Sequence, residues 1–393
     1  MMQHSFTLMW NQKRKYGFIL LELFVIFVVI FMTTIYMIDN VTRYFQGTGR
    51  DISQVYFMNI SHEGTGEVTA LDHFEKVRQR IAQMEHVQDV SLSYQASPYV
   101  SGYTIKTFHH GENLSNALLC YADPYFSSVF RTNLRAGKWY TSEDVGKGVE
   151  IPVVINHNLA VQLFGEEDPI GKSLKQGDER YVVQGVLEHY KRQDFESEGK
   201  SVFVPLYYRR PHQNMAIDLM VRHEEGFFPE PKNYAEAVFS VFSHDQFRIT
   251  RSTRLQALKQ QSNSNTSGDM LFVSLIVGFL LFNLVLGLVG ILGYHVNQRI
   301  SEMGIRRAVG STRPKVRGLI FMEMLVLTLM ATIPALLLVV QIPALELMPM
   351  SWRLFIQGML ASLAIIAIFV SISVMYPGIV ASKIRPAVAL KEE

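Results

Sequence analysis

The sequence predicts a membrane protein with four transmembrane helices, one before and three after a large α+β domain outside the cytoplasm. Three observations support this fold class. Hydrophobic residues make up 48% of the 393 residues and charged residues only 18%, which is more apolar than a typical soluble protein. The apolar residues concentrate in four runs. Between the first two runs, strand-like and helix-like patterns alternate over a length sufficient for a folded domain.

The four apolar runs are almost free of charge. Between Lys15 and Asp39 the one charged residue is Glu22. The other three runs contain no Asp, Glu, Lys or Arg: 270–298, 324–345 and 354–382. A helix needs roughly 20 apolar residues to cross about 30 Å of hydrocarbon, so we expect spans at 17–38, 270–293, 319–341 and 354–376. The first run exceeds the apolar core of a signal peptide and lacks a small-x-small cleavage site, which predicts an uncleaved anchor.

Lysine and arginine in the short segments predict the orientation, because they favour the cytoplasmic side. Three segments are rich in them: 1–16 with Lys13, Arg14 and Lys15; 294–318 with Arg299, Arg306, Arg307, Arg313, Lys315 and Arg317; and 377–393 with Lys383, Arg385 and Lys391. The short loop 342–353 has only Arg353. Both termini and 294–318 are therefore predicted to be cytoplasmic, and 39–269 to lie outside. This clustering explains the basic residues without a nucleic-acid partner.

The outer segment, 39–269, begins and ends with a β-α-β pattern. The pattern is strand, helix and strand at 53–60, 71–84 and 90–95, and again at 216–222, 234–241 and 247–252. Between these units, a region of about 101–210 is richer in strand-like alternation. We expect a discontinuous subdomain made of the β-α-β repeats, with a strand-rich subdomain inserted in it. The polar stretch QQSNSNTSGD, 260–269, is expected to be a loop and a hinge into the second span.

No catalytic or metal-binding pattern is evident in the outer segment. The motifs H-E-x-x-H, C-x-x-C and G-x-S-x-G do not occur, and the pair His109-His110, without a further ligand at metal spacing, is expected in a solvated turn. A single cysteine, Cys120, excludes an internal disulfide. Aromatic residues here are expected to pack in the core rather than line a groove: Tyr121, Tyr125, Phe126, Phe130, Trp139 and Tyr140.

Residues 163–174, LFGEEDPIGKSL, imitate the end of a nucleotide-binding loop. That loop requires G-x-x-x-x-G-K-[ST], but the position of its first glycine is occupied by Glu166, whose carboxylate would repel phosphate. A helix-like segment precedes these residues and a strand-like segment follows, which is the reverse of the order in a nucleotide-binding loop. We expect a structural helix-turn-strand connection that uses Asp168-Pro169 and Gly171 as turn residues.

Two stretches, together with the order of the spans, resemble the MacB/FtsX family of ABC transporter permeases. Residues 121–190, which include LFGEEDPIGK, are similar to that family's periplasmic core domain. Residues 298–327, QRISEMGIRRAVGSTRPKVRGLIFMEMLVL, are similar to its signature between the second and third spans. The resemblance implies a multi-pass protein of the bacterial inner membrane.

The resemblance also implies a function. It implies a permease subunit that binds no cofactor itself and works with a cytoplasmic ABC ATPase, which binds the ATP. We expect this ATPase to be a separate subunit, because only the short segment 1–16 precedes the first span. It implies a second permease subunit in the lipid membrane, identical or different, and mechanotransmission to the outer domain, as in efflux with a periplasmic adaptor and an outer-membrane channel. Two alternatives stay open: an FtsX-like regulator of cell-wall hydrolases, and a receptor that uses the outer segment for binding without any ATPase.

Segment 294–318 is the candidate element for coupling to the ATPase. Charge alone favours a purely topological role for its arginines, and the similarity to the family signature shifts the interpretation to coupling. Five residues are the candidates: Glu302, Gly304, Arg306, Arg307 and Gly310. Glu302 and Arg306 are four apart and can pair on one helical face, and Gly304 would let a partner's backbone come close. Gly310 would end the helix, and Ser311 would cap the next one.

Polar and small residues inside the spans are candidates for helix contacts. Glu22 and Glu323 are expected to face a helix neighbour or to lie near the interface, because an ionised side chain facing lipid at depth is costly. Four small residues of the second span would permit a close approach at a dimer contact: Ser274, Gly278, Gly287 and Gly290.

Overall fold

The computed structural model describes residues 13–62, 69–146, 150–208, 216–227, 230–242, 247–348 and 350–383. The chain forms two compact units. We call Met1–Val41 with Ser267–Glu393 the membrane unit, and Thr42–Thr266 the outer domain. Among the described residues, four helices are long and apolar enough to cross a membrane, as the sequence predicts.

The helices fall in both units. In chain order they are α1 Lys13–Phe45, α2 Thr69–Ala82, α3 Phe126–Phe130, α4 His157–Phe164, α5 Pro231–Phe239, α6 Leu255–Gln298, α7 Ile300–Ala308, α8 Arg313–Val339, α9 Gln341–Ala344 and α10 Trp352–Lys383. A short 3₁₀ turn follows at Leu206–Tyr208.

The strands all belong to the outer domain. They are β1 Val55–His62, β2 Val87–Tyr94, β3 Thr104–His110, β4 Asn113–Ala122, β5 Leu134–Gly137, β6 Ile151–Asn156, β7 Ser173–Gln176, β8 Glu179–Leu187, β9 Ser201–Pro205, β10 Ala216–His223 and β11 Phe247–Arg254.

Each spanning helix is longer than its predicted span. The four helices are α1, α6, α8 and α10. Hydropathy marks only the part of a helix that crosses hydrocarbon, whereas the backbone hydrogen-bond ladder continues into polar flanks. Residues 13–16 of the predicted amino-terminal segment are helical, and 1–12 lie outside the described residues. At the other end α10 reaches Lys383, and Arg385 and Lys391 lie outside the described residues.

The expected hinge at 260–269 is wrong. These residues are helical and lie inside α6, which runs for 44 residues from Leu255. The stretch contains no proline, and its Ser, Asn and Gln side chains bond to the outer domain: Gln261 accepts from Arg251 (2.5 Å) and Ser262 lies 3.2 Å from Gln193. At 1.5 Å per residue, α6 is about 66 Å long. The polar composition of 260–269 predicts a loop, but these contacts stabilise the segment as a helix.

The described residues of the outer domain form one 11-stranded sheet. The two β-α-β units, β1-α2-β2 and β10-α5-β11, supply one end of this sheet in the order β11-β1-β10-β2. All neighbours in this part are antiparallel, which is the split β-α-β arrangement. Strands from the two ends of the outer segment are thus neighbours, although residues 95–215 separate β2 from β10 in sequence.

The strands between these units continue the same sheet. β2 pairs with β4 through Ser93–Ala122 and Tyr94–Tyr121, and the order continues through β3, β7, β8, β6 and β9. The repeat strands and the inserted strands are thus joined in one sheet within the compact unit Thr42–Thr266, and the division of this unit into two subdomains stays a prediction. The short elements α3, β5 and β7 are absent from the sequence prediction, since each has only four or five residues.

Both faces of the sheet are covered. On β1, Met58 and Ile60 pack under α2 and α5, whereas Phe57 on the opposite face joins an aromatic cluster, as the period of two along a strand requires. The aromatic cluster contains four of the residues expected in the core: Phe126, Phe130, Trp139 and Tyr140. Tyr125 is exposed instead.

Candidate functional site

The candidate coupling helix, α7, is nine residues long and lies between α6 and α8 in sequence. Two hydrogen bonds close its carboxyl end, from Gly310 N to Arg307 O (3.1 Å) and from Ser311 N to Arg306 O (2.9 Å). Gly310 has a φ of 97°, which residues with a side chain rarely adopt. The predicted stop at Gly310 is confirmed. Ser311 does not cap the next helix, because it helps to close α7 and Thr312 is the residue before α8.

One face of α7 is buried against the membrane unit. This face carries Met303 and Gly304, and Met303 belongs to the same hydrophobic cluster as residues of α1, α6, α8 and α10. The expectation that Gly304 offers an approach to a partner's backbone is therefore wrong for this structure. The sequence shows a glycine among charges, but it does not show which side of a short helix turns inward.

Arg299 connects the start of α7 to the third span. Its Nη1 lies 2.8 Å from Oε1 of Glu323 on α8, and its Nε lies 3.7 Å from Oε2 of Glu302. Glu323 is thus neither lipid-facing nor isolated. An ion pair with both side chains partly exposed is worth about 1 kcal/mol or less, so its main effect is to fix the direction of α7 relative to α8.

The last turn of α7 is fixed to the fourth span. Arg307 Nη1 donates to the carbonyl of Ser382 (2.7 Å), and Arg317 Nε on α8 lies 3.1 Å from Ser382 Oγ. A cation at the carboxyl end of α10 also complements the helix dipole. Arg307 therefore serves as an internal anchor, and Ser382 is a partner that the sequence does not single out.

The remaining face of α7 is exposed and carries both charge and apolar surface. Glu302 and Arg306 form the expected pair at 2.8 Å, each with 44% of its side chain exposed. Beside them Ile305 is 49% exposed and Val309 is 84% exposed. We call Glu302, Ile305 and Arg306, together with Val309 directly after the last helical residue, the outward face of α7. Ile305 was missed in the sequence, although its spacing of four from Val309 was visible.

Glu22 of the first span faces a helix neighbour. A Cβ on Gly287 of α6 would lie 3.5 Å from both carboxylate oxygens of Glu22, so Gly287 leaves room for this side chain. The other small residues of the second span, Ser274, Gly278 and Gly290, are exposed in this protomer. A Cβ on Gly278 or Gly290 would meet no atom within 4 Å.

The closest glycine contact within the membrane unit involves the fourth span instead. A Cβ on Gly358 of α10 would lie 2.4 Å from Cγ1 of Ile35 on α1. Gly358 therefore permits α1 and α10 to approach each other. Nothing in the sequence distinguishes it from the other glycines of the spans.

The nucleotide-like residues 163–174 form a structural turn. α4 precedes the turn and β7 follows it, and the Lys172 ammonium is paired with the Glu167 carboxylate. Gly171 N donates to Val183 O (2.8 Å) and Ile170 N to Asp168 Oδ1 (3.0 Å). The lysine and these amides are thus engaged within the chain, which confirms the predicted helix-turn-strand connection.

The residues with metal or redox chemistry do not form a site. Within the described ranges, no three His, Cys, Asp or Glu side chains are grouped to hold a metal ion. His109 and His110 end strand β3 instead of lying in a turn, and His110 Nδ1 is 2.8 Å from Ser173 O. Cys120 is buried, and this burial raises the pKa of its thiol to about 12.

Comparison with known families covers both units. A MacB-like periplasmic core domain matches residues 23–227, and an FtsX-like permease C-terminal domain matches residues 274–386.

The chain belongs to the MacB/FtsX family of ABC transporter permeases.

Curated relatives of this permease include exporters. It is 25% identical over 273 residues to the macrolide export ATP-binding/permease protein MacB of Chlorobium luteolum. The aligned region covers 65% of the permease and 40% of that relative. It is 26% identical over 210 residues to the probable syringafactin export ATP-binding/permease protein SyfD of Pseudomonas syringae, covering 51% and 31%. The permease thus spans less than half the length of these relatives.

A solved structure is also similar to part of the permease. The periplasmic region of MacB from Actinobacillus actinomycetemcomitans aligns with 54% of this chain and 94% of that one, at 14% identity and a TM-score of 0.39. Within the permease, α7 lies inside the FtsX-like match. With four candidate spans and both family domains, it is an inner-membrane protein.

Proposed function

We propose that a separate cytoplasmic ABC ATPase docks on α7, and that this permease uses the energy of hydrolysis to move its outer domain in an export process. In this arrangement both termini and α7 are cytoplasmic, and the phosphate site belongs to the ATPase. The observation that carries the proposal is the outward face of α7, where apolar and charged side chains are exposed on a helix that is fixed on its other sides.

The outward face has the composition of a docking surface. Ile305 and Val309 are four residues apart and more than half of their combined surface is open, and exposed apolar side chains at this spacing commonly enter a partner's groove. The neighbouring Glu302–Arg306 pair can orient such a partner through its charges. Lysine and arginine near this loop support a cytoplasmic position by the positive-inside rule, and ATP is available to an ATPase on that side.

The anchors of α7 explain how docking would transmit force. Arg299 connects it to α8 through Glu323, and Arg307 connects it to α10 through Ser382. Met303 inserts into the hydrophobic cluster of the spans. A displacement of α7 would therefore displace the inner ends of these helices, because the buried contacts do not permit α7 to slide freely.

Export is favoured over control of cell-wall hydrolases. The core-domain match and the export functions in the relatives' names support it, whereas no contact among the described residues favours the FtsX-like alternative or a receptor. We also propose a second permease subunit, for which the exposed Ser274, Gly278 and Gly290 of α6 offer a close-packing face. A periplasmic adaptor and an outer-membrane channel would complete an efflux assembly.

The test compares the parent with the double variant Glu302→Ala, Arg306→Ala. The permease is co-expressed with a candidate ABC ATPase subunit that has no membrane spans, and the complex is assayed by co-purification and by ATP hydrolysis in lipid nanodiscs. Removing charges that a partner buries costs about 2–5 kcal/mol, and rim charges cost far less. We expect at least about tenfold weaker association, which corresponds to ~1.4 kcal/mol, while membrane insertion is unchanged.

A matched control removes an ion pair of the same signs elsewhere. Glu230 and Lys232 are paired at 2.8 Å on the outer domain and are well exposed, so Glu230→Ala with Lys232→Ala should leave association and hydrolysis at the parent level. The variant Ile305→Asp places a charge in the apolar part of the outward face and should weaken association further. Unchanged association and hydrolysis in both α7 variants would show that the ATPase does not dock here.

A further inference from the structure

A single loop of the outer domain contacts both helices that continue into the first and second spans. This loop, residues 189–196, follows β8 and reads HYKRQDFE. We call it the clamp loop. Its contacts reach the last residues of α1 and the first turns of α6, and all the residues involved lie within the outer domain, Thr42–Thr266.

Lys191 binds the end of α1. Its side-chain ammonium donates to Arg43 O (2.6 Å), Asp194 O (2.9 Å) and Gln46 O (3.5 Å), and the residue is only 1% exposed. The last carbonyls of a helix lack partners within it and carry the negative end of its dipole. Lys191 therefore caps α1 from outside the helix, and Phe195 of the same loop packs against Tyr44, with ring centroids 5.2 Å apart and the ring planes at 31°.

Asp194 binds the beginning of α6. Its Oδ2 accepts from Asn263 Nδ2 at 2.7 Å and lies 3.1 Å from Lys259 Nζ, while its Oδ1 accepts from Tyr99 OH at 2.9 Å. The Asp194 side chain is 4% exposed. Lys259 and Asn263 lie in the second and third turns of α6, which starts at Leu255. This carboxylate is one reason why the polar stretch 260–269 is held as a helix.

The clamp loop is itself fixed to the outer domain. Arg192 donates to the carbonyls of Val100 (2.6 Å) and Gly102 (2.9 Å), and its own carbonyl accepts from Arg50 Nη2 (2.7 Å) and Tyr99 N (3.2 Å). The Arg192 side chain is buried. Movement of the loop therefore carries the neighbouring segments of the outer domain with it.

We propose that the clamp loop is the joint through which α1 and α6 move the outer domain, with Lys191 and Asp194 as its positioning residues. Each residue holds one helix, they are three positions apart, and both sites are buried so that water does not replace the lost bonds. A relative movement of the two helix ends must therefore displace the loop. This proposal rests on the proposed coupling to an ATPase.

The experiment uses the full permease with its ATPase in nanodiscs, in a Cys120→Ser background. An environment-sensitive dye is attached at Lys106→Cys, an exposed position on β3. Its fluorescence reports movement of the outer domain when ATP and vanadate trap the ATPase. The variants are Lys191→Met and Asp194→Asn. The controls, Lys175→Met and Asp178→Asn, make the same chemical changes at exposed positions of β7 and its turn. Association with the ATPase and basal hydrolysis are measured for every variant.

We expect the clamp variants to bind the ATPase and hydrolyse ATP as the parent does, but to lose at least about two thirds of the dye response. The controls should keep the full response. Clamp variants with the parental response would overturn the proposal. A parent that does not bind the ATPase would contradict the proposed function. A parent that binds the ATPase but gives no dye response would contradict the proposed role of the clamp loop as a joint.

A rescue separates connection from folding. Asp194→Cys with Asn263→Cys, placed where the side chains touch, is joined by a short bifunctional thiol reagent. In this experiment the thiols at positions 194 and 263 are first protected reversibly as their mutual disulfide, and the dye is then attached at position 106. The disulfide is reduced before the bifunctional reagent is added. We expect the response to be lost in the unjoined pair and recovered on joining. A joined pair that folds, binds ATPase and stays silent would contradict a mechanical role for the loop.

Discussion

The contact of Gly358 with Ile35 gives a prediction whose size follows from the structure. The change is Gly358→Ala. The new Cβ would lie 2.4 Å from Cγ1 and 3.2 Å from Cδ1 of Ile35, whereas carbon atoms in contact prefer about 3.5–4.0 Å. The methyl group must therefore push α1 and α10 apart or force Ile35 out of its rotamer.

Two terms of opposite sign set the magnitude. Overpacking of this kind costs about 1–3 kcal/mol. Alanine is the better helix former by about 1 kcal/mol, which offsets part of that cost. Gly278→Ala on α6 is the matched control, because a Cβ there meets no atom within 4 Å and only the propensity term changes. We expect Gly358→Ala to be less stable than Gly278→Ala by about 1–3 kcal/mol.

The assay is reversible unfolding in mixed detergent micelles, followed by far-ultraviolet circular dichroism. Ile35→Ala is added to complete a double-mutant cycle, since it removes both atoms that the new methyl group meets. The two changes together should cost at least about 1 kcal/mol less than the sum of the single changes. Equal stabilities for the two Gly→Ala variants, with additive effects at Ile35, would refute the close approach of α1 and α10.

Three further predictions concern the outer domain and the orientation. With Cys120 replaced by Ser, a cysteine at Ile105 should react with a membrane-impermeant maleimide in intact spheroplasts, and one at Val309 only after lysis; the opposite labelling would reverse the orientation. Lys172→Ala should leave ATP hydrolysis by the assembled complex at the parental rate, since its partner is a carboxylate of the same turn, and a loss like that of a phosphate-binding lysine would make the turn a nucleotide site. Burial alone would raise the pKa of Asp194, but the hydrogen bonds that its carboxylate accepts from α6 and Tyr99 outweigh burial and lower the pKa. Asp194 therefore stabilises the fold above its ordinary pKa of 3.8, and this stabilisation is lost as the pH falls through the lowered pKa. Between pH 6 and pH 3, the thermal stability of the full permease should therefore fall less in Asp194→Asn than in the parent. An equal fall in both proteins would show that the Asp194 carboxylate does not stabilise the fold in this way.

The spans could be predicted because length and lack of charge are sufficient signals for a membrane helix. Their ends could not. Residues 260–269 look like a loop by composition, and they are helical because Asp194 and Gln193, far away in sequence, supply partners for Asn263 and Ser262. Likewise Gly358 has no local signal, since its importance comes from Ile35 on another helix.

The strands of the outer domain were visible as alternation, but their order was not. The position of β10 between β1 and β2 depends on pairs such as Phe57–Met220 and Leu92–Leu219, which no local pattern encodes. The two β-α-β units were recognisable because each repeats one local pattern. Their joining into one sheet is set by tertiary packing.

The candidate coupling helix could be predicted from its similarity to the family signature, but the face that it turns towards the spans could not. Two apolar faces were possible, one through Met303 and one through Ile305 and Val309. A short amphipathic pattern does not tell which face meets the spans. The structure buries Met303 and Gly304 and leaves Ile305 and Val309 open. The partners Glu323 and Ser382 of Arg299 and Arg307 lie 24 and 75 residues away, beyond the reach of helical periodicity.

Site-specific crosslinking between α7 and the ATPase in native membranes tests directly whether the ATPase docks on α7. A photoreactive amino acid is placed at Val309 on the outward face, at Met303 on the buried face, and at Gly278 in the second span. We expect a crosslinked product with the ATPase from Val309, stronger with ATP and vanadate, and no such product from Met303 or Gly278. Crosslinking to the ATPase from Gly278, or its absence at Val309 while the complex co-purifies, would contradict α7 as the site where the permease receives the energy of ATP hydrolysis.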